Sequence, residues 1–152
     1  MHRKFVRPAR VIAFILLMLA PQFFTTSVSA LDSDAVYLSY LRGANEVAGG
    51  DPDGRGRAEV TFKYGRGLVC YSLTLKDIAL PLTGAHIHIG VAGTNGPIVV
   101  NFPVDGGANL SDCVAVEGGL IKMIANKPAR FYVNVHNAEF PGGAIRGQLI
   151  KP

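Results

Sequence analysis

Two histidines one residue apart, His86 and His88 in the stretch GAHIHIG, could do chemistry together, and a third, His136, lies in YVNVHN. Successive side chains of a β-strand point to opposite faces, so His86 and His88 point the same way, with Cβ atoms about 7 Å apart. If the strand that carries His136 lies beside them, all three imidazoles share one polar face. Neutral imidazole binds copper, zinc, nickel and iron, and three such ligands with an open position make a metal site.

Other residues on the same face could support these histidines. Tyr132 and Asn134 share the face of His136 by the same alternation, and they are candidates for contacts behind a metal ligand. Arg146 and Glu46 are expected to form a structural ion pair across the sheet rather than a catalytic one. The competing interpretation of the histidines is that they are solvated side chains on an exposed strand, because a His-x-His pattern is common without a metal.

Enzyme motifs give little support for catalysis. The sequence contains no Cys-x-x-Cys motif, no phosphate-binding loop and no glycine-flanked nucleophilic serine. Its acidic residues are scattered, and no pair of them is placed for general acid–base chemistry. We therefore assign no catalytic residue.

The elements that must position the histidines are strands. Alternating apolar residues predict strands over 35–41, 57–64, 67–75, 84–90, 97–102, 129–136 and 144–150. The stretch LIKMIANKP places Leu120, Met123 and Ile124 at helical spacing and ends at Pro128, which predicts one short helix. Many short strands with Gly-rich turns, including GR at 65–66 and FPGG at 140–143, indicate an all-β sandwich or barrel. Gly84, Gly90, Gly93 and Gly96 are expected to supply turns and close backbone approaches.

The first thirty residues have the composition of a secretory signal peptide. Four basic residues precede an apolar run over 11–20, and the segment ends in Val-Ser-Ala at Ala30. The apolar run is shorter than the roughly 20 residues of a spanning helix, so we expect cleavage after Ala30 rather than an uncleaved membrane anchor. The protein is then secreted or periplasmic, and residues 31–152 form one domain.

Removal of this segment changes the charge of the protein. The whole chain carries a formal charge of +4 with 15 basic and 11 acidic residues. Residues 1–30 hold four of the basic residues and no acid, so the mature chain has eleven of each sign and no net charge. A nucleic acid or an anionic membrane surface is therefore not an expected partner.

The two cysteines, Cys70 and Cys113, are expected to form a disulfide in an oxidising compartment. The alternative is a pair of free thiols in a reducing compartment, which the predicted export disfavours. The sequence NLS at 109–111 makes Asn109 a glycosylation acceptor if the host is eukaryotic.

Three segments resemble the CHRD domain, the repeat of the extracellular protein chordin that also occurs singly in bacterial secreted proteins. They are GANEV at 43–47, GAHIHIGVAGTNGPIVVNF at 84–102 and FYVNVHNAEFPGGAIRGQL at 131–149, and the resemblance extends over about residues 35–151. It implies an extracellular Greek-key β-sandwich of immunoglobulin-like or superoxide-dismutase-like character, and no agreed activity. Because chordin binds growth factors, it also allows an extracellular protein partner. The sequence departs from the family pattern at residues 48–50, where the family tends to have prolines, and at Ala144, where it tends to have an acid.

The histidine pattern is also similar to the copper half of Cu/Zn superoxide dismutase. That likeness implies that His86, His88 and His136 are copper ligands. No histidine lies between His88 and His136, so the bridging histidine and the zinc ligands have no counterpart. Three functions stay open: an exported non-enzymatic domain that binds copper or another divalent metal, an extracellular protein- or surface-interaction module without metal, and a dismutase-like redox enzyme.

Overall fold

The computed structural model describes residues 34–152, so the predicted signal peptide at 1–30 lies outside the described residues. The described chain forms eight strands and one α-helix: β1 Ala35–Arg42, β2 Arg55–Lys63, β3 Leu68–Lys76, β4 Leu82–Ile89, β5 Ile98–Phe102, β6 Asn109–Ala115, α1 Gly118–Asn126, β7 Phe131–Asn137 and β8 Ile145–Gln148. The predicted all-β fold with one short helix is confirmed. Within residues 34–152, no helix is long and apolar enough to cross a membrane.

All eight strands belong to one antiparallel sheet with the order β5-β4-β7-β8-β1-β2-β3-β6. Three neighbouring pairs, β3–β6, β4–β7 and β8–β1, join strands that are not consecutive in the chain, as Greek-key connections do. The sheet curls until its end strands, β5 and β6, nearly meet. Tyr71 of β3 stacks on Phe102 of β5 at a centroid distance of 4.1 Å, and its hydroxyl donates to the carbonyl of Pro103. The sandwich is therefore a nearly closed barrel made from one continuous sheet.

The core fills the inside of this barrel. On β2, the predicted inward residues Ala58, Val60 and Phe62 are completely buried. On β4, Ala85 and Ile87 are also completely buried, so His86 and His88, which alternate with them, lie on the outer face. Each fully buried aliphatic or aromatic side chain contributes about 1.5–3 kcal/mol. Burial of the inward side chains therefore fixes which side chains of each strand point out of the barrel.

The strand at Asn109–Ala115 was not predicted from the sequence. Of its residues, Leu110 alone is buried, because β6 lies at the edge of the sheet and pairs only with β3. It therefore lacks the alternation that a half-buried strand shows.

The helix begins earlier than expected, at Gly118. The N–H groups of the first helical turn have no intrahelical partner, so the start of the helix differs from its interior. The predicted two-residue hairpin at 65–66 is a 3₁₀ turn closed by Gly67 at φ 62°.

The predicted disulfide is formed between Cys70 of β3 and Cys113 of β6. The two cysteines are directly opposite each other in the strand pairing. The bond therefore ties the edge strand β6 to the rest of the sheet.

Replacing both Cys70 and Cys113 by alanine is expected to lower the free energy of unfolding by about 3–4 kcal/mol, because the disulfide closes a long loop in the unfolded chain. Guanidinium unfolding followed by circular dichroism measures this difference. The matched control is Ser72→Ala with Ser111→Ala, an exposed pair opposite each other on the same two strands. A loss no larger than that of the serine control would contradict the expectation.

Candidate metal centre

The three histidines come together because β4 and β7 are neighbours. In the antiparallel pairing, His86 lies opposite Asn134, His88 opposite Tyr132, and His136 opposite Gly84. Their ring centroids are 5.0 Å apart for His86 and His136, 5.5 Å for His86 and His88, and 6.4 Å for His88 and His136. One ring nitrogen from each histidine lies within 4.8 Å of the other two. The strand that carries His136 therefore lies beside the strand that carries His86 and His88, as a shared metal site requires.

Each of the three rings has a nitrogen that is buried and has no hydrogen-bond partner. These nitrogens are Nδ1 of His86, Nε2 of His88 and Nε2 of His136. Buried polar atoms normally have a partner, so three unpartnered atoms in one cluster require a physical explanation. A bound cation provides one, because it accepts the lone pairs that the protein leaves unused.

Two of the rings are held in a defined tautomer by the backbone. The carbonyl of Gly96 lies 2.8 Å from Nδ1 of His88, and the carbonyl of Pro141 lies 3.0 Å from Nδ1 of His136. A carbonyl oxygen only accepts, so both Nδ1 atoms carry the proton. In this tautomer Nε2 carries no proton and is free to bind a metal, an arrangement that metal-binding histidines commonly show.

Gly84 makes room for the His86 ring. A Cβ atom at position 84 would lie 3.0 Å from Cε1 and 3.3 Å from Nε2 of His86. The sequence interpretation assigned Gly84 to a turn or a close backbone approach. It lies inside β4, within the strand predicted over 84–90, and the close approach is made by an imidazole rather than by backbone.

The environment of the cluster favours the neutral forms of His86 and His88. Burial lowers the pKa of His86 to about 4, and charge on His136 and His88 adds to this effect. Burial also lowers the pKa of His88, reinforced by the charges of His136 and Arg146 and opposed by the hydrogen bond to Gly96. A histidine with a lowered pKa is neutral at physiological pH, which is the form that binds metal.

The residues predicted to stand behind the ligands contact them or lie opposite them. The ring of Tyr132 is parallel to that of His88, with an interplanar angle of 7° and centroids 4.9 Å apart. Asn134 lies opposite His86 and has a buried Oδ1 without a partner. Asn137 accepts a hydrogen bond of 2.8 Å from the N–H of Phe140. It thereby caps the turn that carries the Pro141 carbonyl.

The predicted ion pair between Arg146 and Glu46 is formed and buried, with 2.6 Å between Nε and Oε2. Sequence reasoning missed the two backbone acceptors, Gly96 and Pro141. The only sequence signal for Pro141 was its place in the turn FPGG, five residues after His136. Gly96 gave no such signal, because its contact with His88 depends on the fold of the loop between β4 and β5.

The family model of the CHRD domain matches residues 37–149. The chain belongs to the CHRD family. No curated protein matches the sequence, and no solved structure matches the fold. The likeness of this CHRD domain to superoxide dismutase therefore has no support beyond its histidines. Family membership and the disulfide both fit an extracellular location.

The His86 ring is expected to be half-protonated near pH 4 in the metal-free protein, compared with about 6.5 for an exposed imidazole. Between these values the unfolded chain binds more protons than the folded chain. Stability should therefore fall as pH drops from about 6.5 towards 4. NMR titration of the ring protons, assigned with His86→Asn, measures the pKa. Titration of His86 near pH 6.5 would show that its ring is not desolvated.

Proposed function

We propose that this CHRD domain is an exported, non-enzymatic domain that binds one copper ion, or another divalent metal, through His86, His88 and His136. The observation that carries the proposal is the set of three buried, unpartnered ring nitrogens on two adjacent strands. The basic and apolar start of the chain and the disulfide support the export part of the proposal.

The chemistry of the donor set favours a transition metal. All three ligands are imidazole nitrogens, whereas calcium and magnesium bind through oxygen. Among divalent first-row metals a nitrogen site binds copper most tightly. Ring nitrogens that bind one tetrahedral ion at about 2.0–2.1 Å lie about 3.4 Å apart. Since the ring nitrogens lie within 4.8 Å of one another, the rings need to close by up to about 1.4 Å, which rotations of the imidazoles supply.

A dismutase-like activity is less well supported than simple binding. An anionic substrate such as superoxide is best guided by a free cation near the metal. The cation beside this cluster is Arg146, whose guanidinium is buried and donates to Glu46, Thr94 and Asn95. It is already neutralised by the Glu46 carboxylate. No histidine between His88 and His136 offers a fourth imidazole.

The second candidate function is an extracellular interaction module, which membership of the CHRD family suggests. A cleft of about 640 Å³ outside the barrel supports it, because three exposed apolar side chains line it: Tyr40, Val47 and Ile150. Exposed apolar side chains gathered at one place are typical of protein-binding surfaces. The partner of this surface would be an extracellular protein, and metal binding and protein binding can coexist on the domain.

Copper(II) titration of the exported protein against a competing chelator tests the proposal. We expect one ion per chain and a large loss of affinity in His86→Ala, His88→Ala and His136→Ala. Since the three residues share one ion, the free-energy losses of single and double substitutions should not add. Asn126→Ala, at the end of α1, is the control and should bind like the parent.

Two results would change the conclusion. If His136→Ala binds as tightly as the parent while the other two variants lose affinity, the metal is held by a local His-x-His chelate on β4. If all three variants match the parent, the histidines are not ligands, and the interaction module is the better description.

A further inference from the structure

Arg146 lies on the same outer face as the histidine cluster, one strand beyond it. It stands on β8 opposite Asn134 of β7, which in turn lies opposite His86 of β4. Its side chain is 4% exposed. A guanidinium buried to this degree is costly unless its N–H groups are satisfied and its charge is paired. The partners that satisfy Arg146 connect it to the cluster.

One set of partners lies in the segment 94–96. Arg146 Nη1 donates to the carbonyl of Thr94 at 3.1 Å, and Nη2 donates to Oδ1 of Asn95 at 2.7 Å. The next residue, Gly96, is the hydrogen-bond acceptor for Nδ1 of His88 at 2.8 Å. Arg146 therefore anchors the two residues that precede the carbonyl on which the tautomer of His88 depends.

A second connection passes through Tyr132. The Cζ atom of Arg146 lies 4.6 Å from the centroid of the Tyr132 ring, and that ring is parallel to His88. The hydroxyl of Tyr132 accepts a hydrogen bond of 3.2 Å from the N–H of Gly96. Arg146 thus contacts both groups that orient His88: the aromatic plane beside it and the loop in front of its Nδ1.

Glu46 makes this arrangement possible by neutralising the buried cation. Its Oε2 lies 2.6 Å from Nε and 2.5 Å from Nη2 of Arg146. Two glycines pack against the Glu46 side chain, since an added Cβ atom would lie 2.7 Å from its Cδ at Gly143 and 2.6 Å from its Cγ at Gly50. An arginine can meet the carboxylate, Thr94 and Asn95 at once because its guanidinium is a planar fork, whereas a lysine ammonium is a single point.

We propose that Arg146 is a positioning residue of the histidine site, which keeps Nε2 of His88 free of a proton and aimed into the cluster. The consequence for metal affinity rests on the proposed metal-binding function. The effect on the His88 ring does not, because the contacts exist without a metal.

Long-range ¹H–¹⁵N NMR of the metal-free exported protein, at a pH where the rings are neutral, reports which nitrogen of His88 carries the proton. The parent should show the Nδ1–H form. Arg146→Lys should show a mixture of Nδ1–H and Nε2–H forms, and its copper(II) affinity should fall by about 10–100-fold. The matched control is Arg57→Lys, on the exposed face of β2, which should change neither reading.

Asn95→Ala provides a second variant, because Asn95 is exposed and its loss leaves no buried charge. Asn95→Ala should shift the tautomers of His88 in the same direction by a smaller amount. If Arg146→Lys does not fold, the Asn95→Ala result tests the role of Arg146 in its place. A folded Arg146→Lys protein, or failing that Asn95→Ala, with the parent's tautomer and affinity would overturn the proposal. If the parent itself does not bind copper(II), the proposed copper site is wrong, while the tautomer comparison still tests Arg146.

Discussion

The antiparallel register between β4 and β7 is the constraint on which the histidine cluster depends. A slip of one residue would turn every side chain of β4 to the opposite face. The hydrophobic core prevents such a slip, since Ala85 and Ile87 on β4 and Val133 and Val135 on β7 are all completely buried. The apolar side of each strand therefore decides where the imidazoles on its other side point. The geometry of the cluster is therefore determined by core residues on the opposite face of the sheet.

The cluster carries a free-energy cost that the rest of the fold must offset. Each buried polar atom without a partner costs about 1–3 kcal/mol, and the cluster contains three such nitrogens. Side chains alone do not hold them in place. Backbone carbonyls of Gly96 and Pro141 bind the far sides of two rings, and the ion pair of Glu46 with Arg146 holds the loop that includes Gly96. Three loops outside the barrel thus hold the site in place: those between β4 and β5, between β7 and β8, and between β1 and β2.

Much of the fold could be predicted because alternation is a local signal. The inward residues of β2 and the common face of His86 and His88 follow from period two alone. The pairing of β4 with β7 could not be predicted in this way, because pairing between distant strands depends on the whole core. The edge strand β6 was missed because Leu110 is its one buried residue, and its place in the sheet is supported by the disulfide. The contact of Gly84 with the His86 ring could not be predicted, because an imidazole packed over a strand glycine leaves no mark in the sequence.

A crystal structure of the exported protein grown with copper(II), with diffraction data collected on both sides of the copper absorption edge, tests the three-histidine site most directly. We expect one anomalous peak per chain, within bonding distance of Nδ1 of His86, Nε2 of His88 and Nε2 of His136. The hydrogen bonds of His88 to Gly96 and of His136 to Pro141 should be retained. A peak elsewhere on the protein, with the three rings still unpartnered, would contradict the assignment.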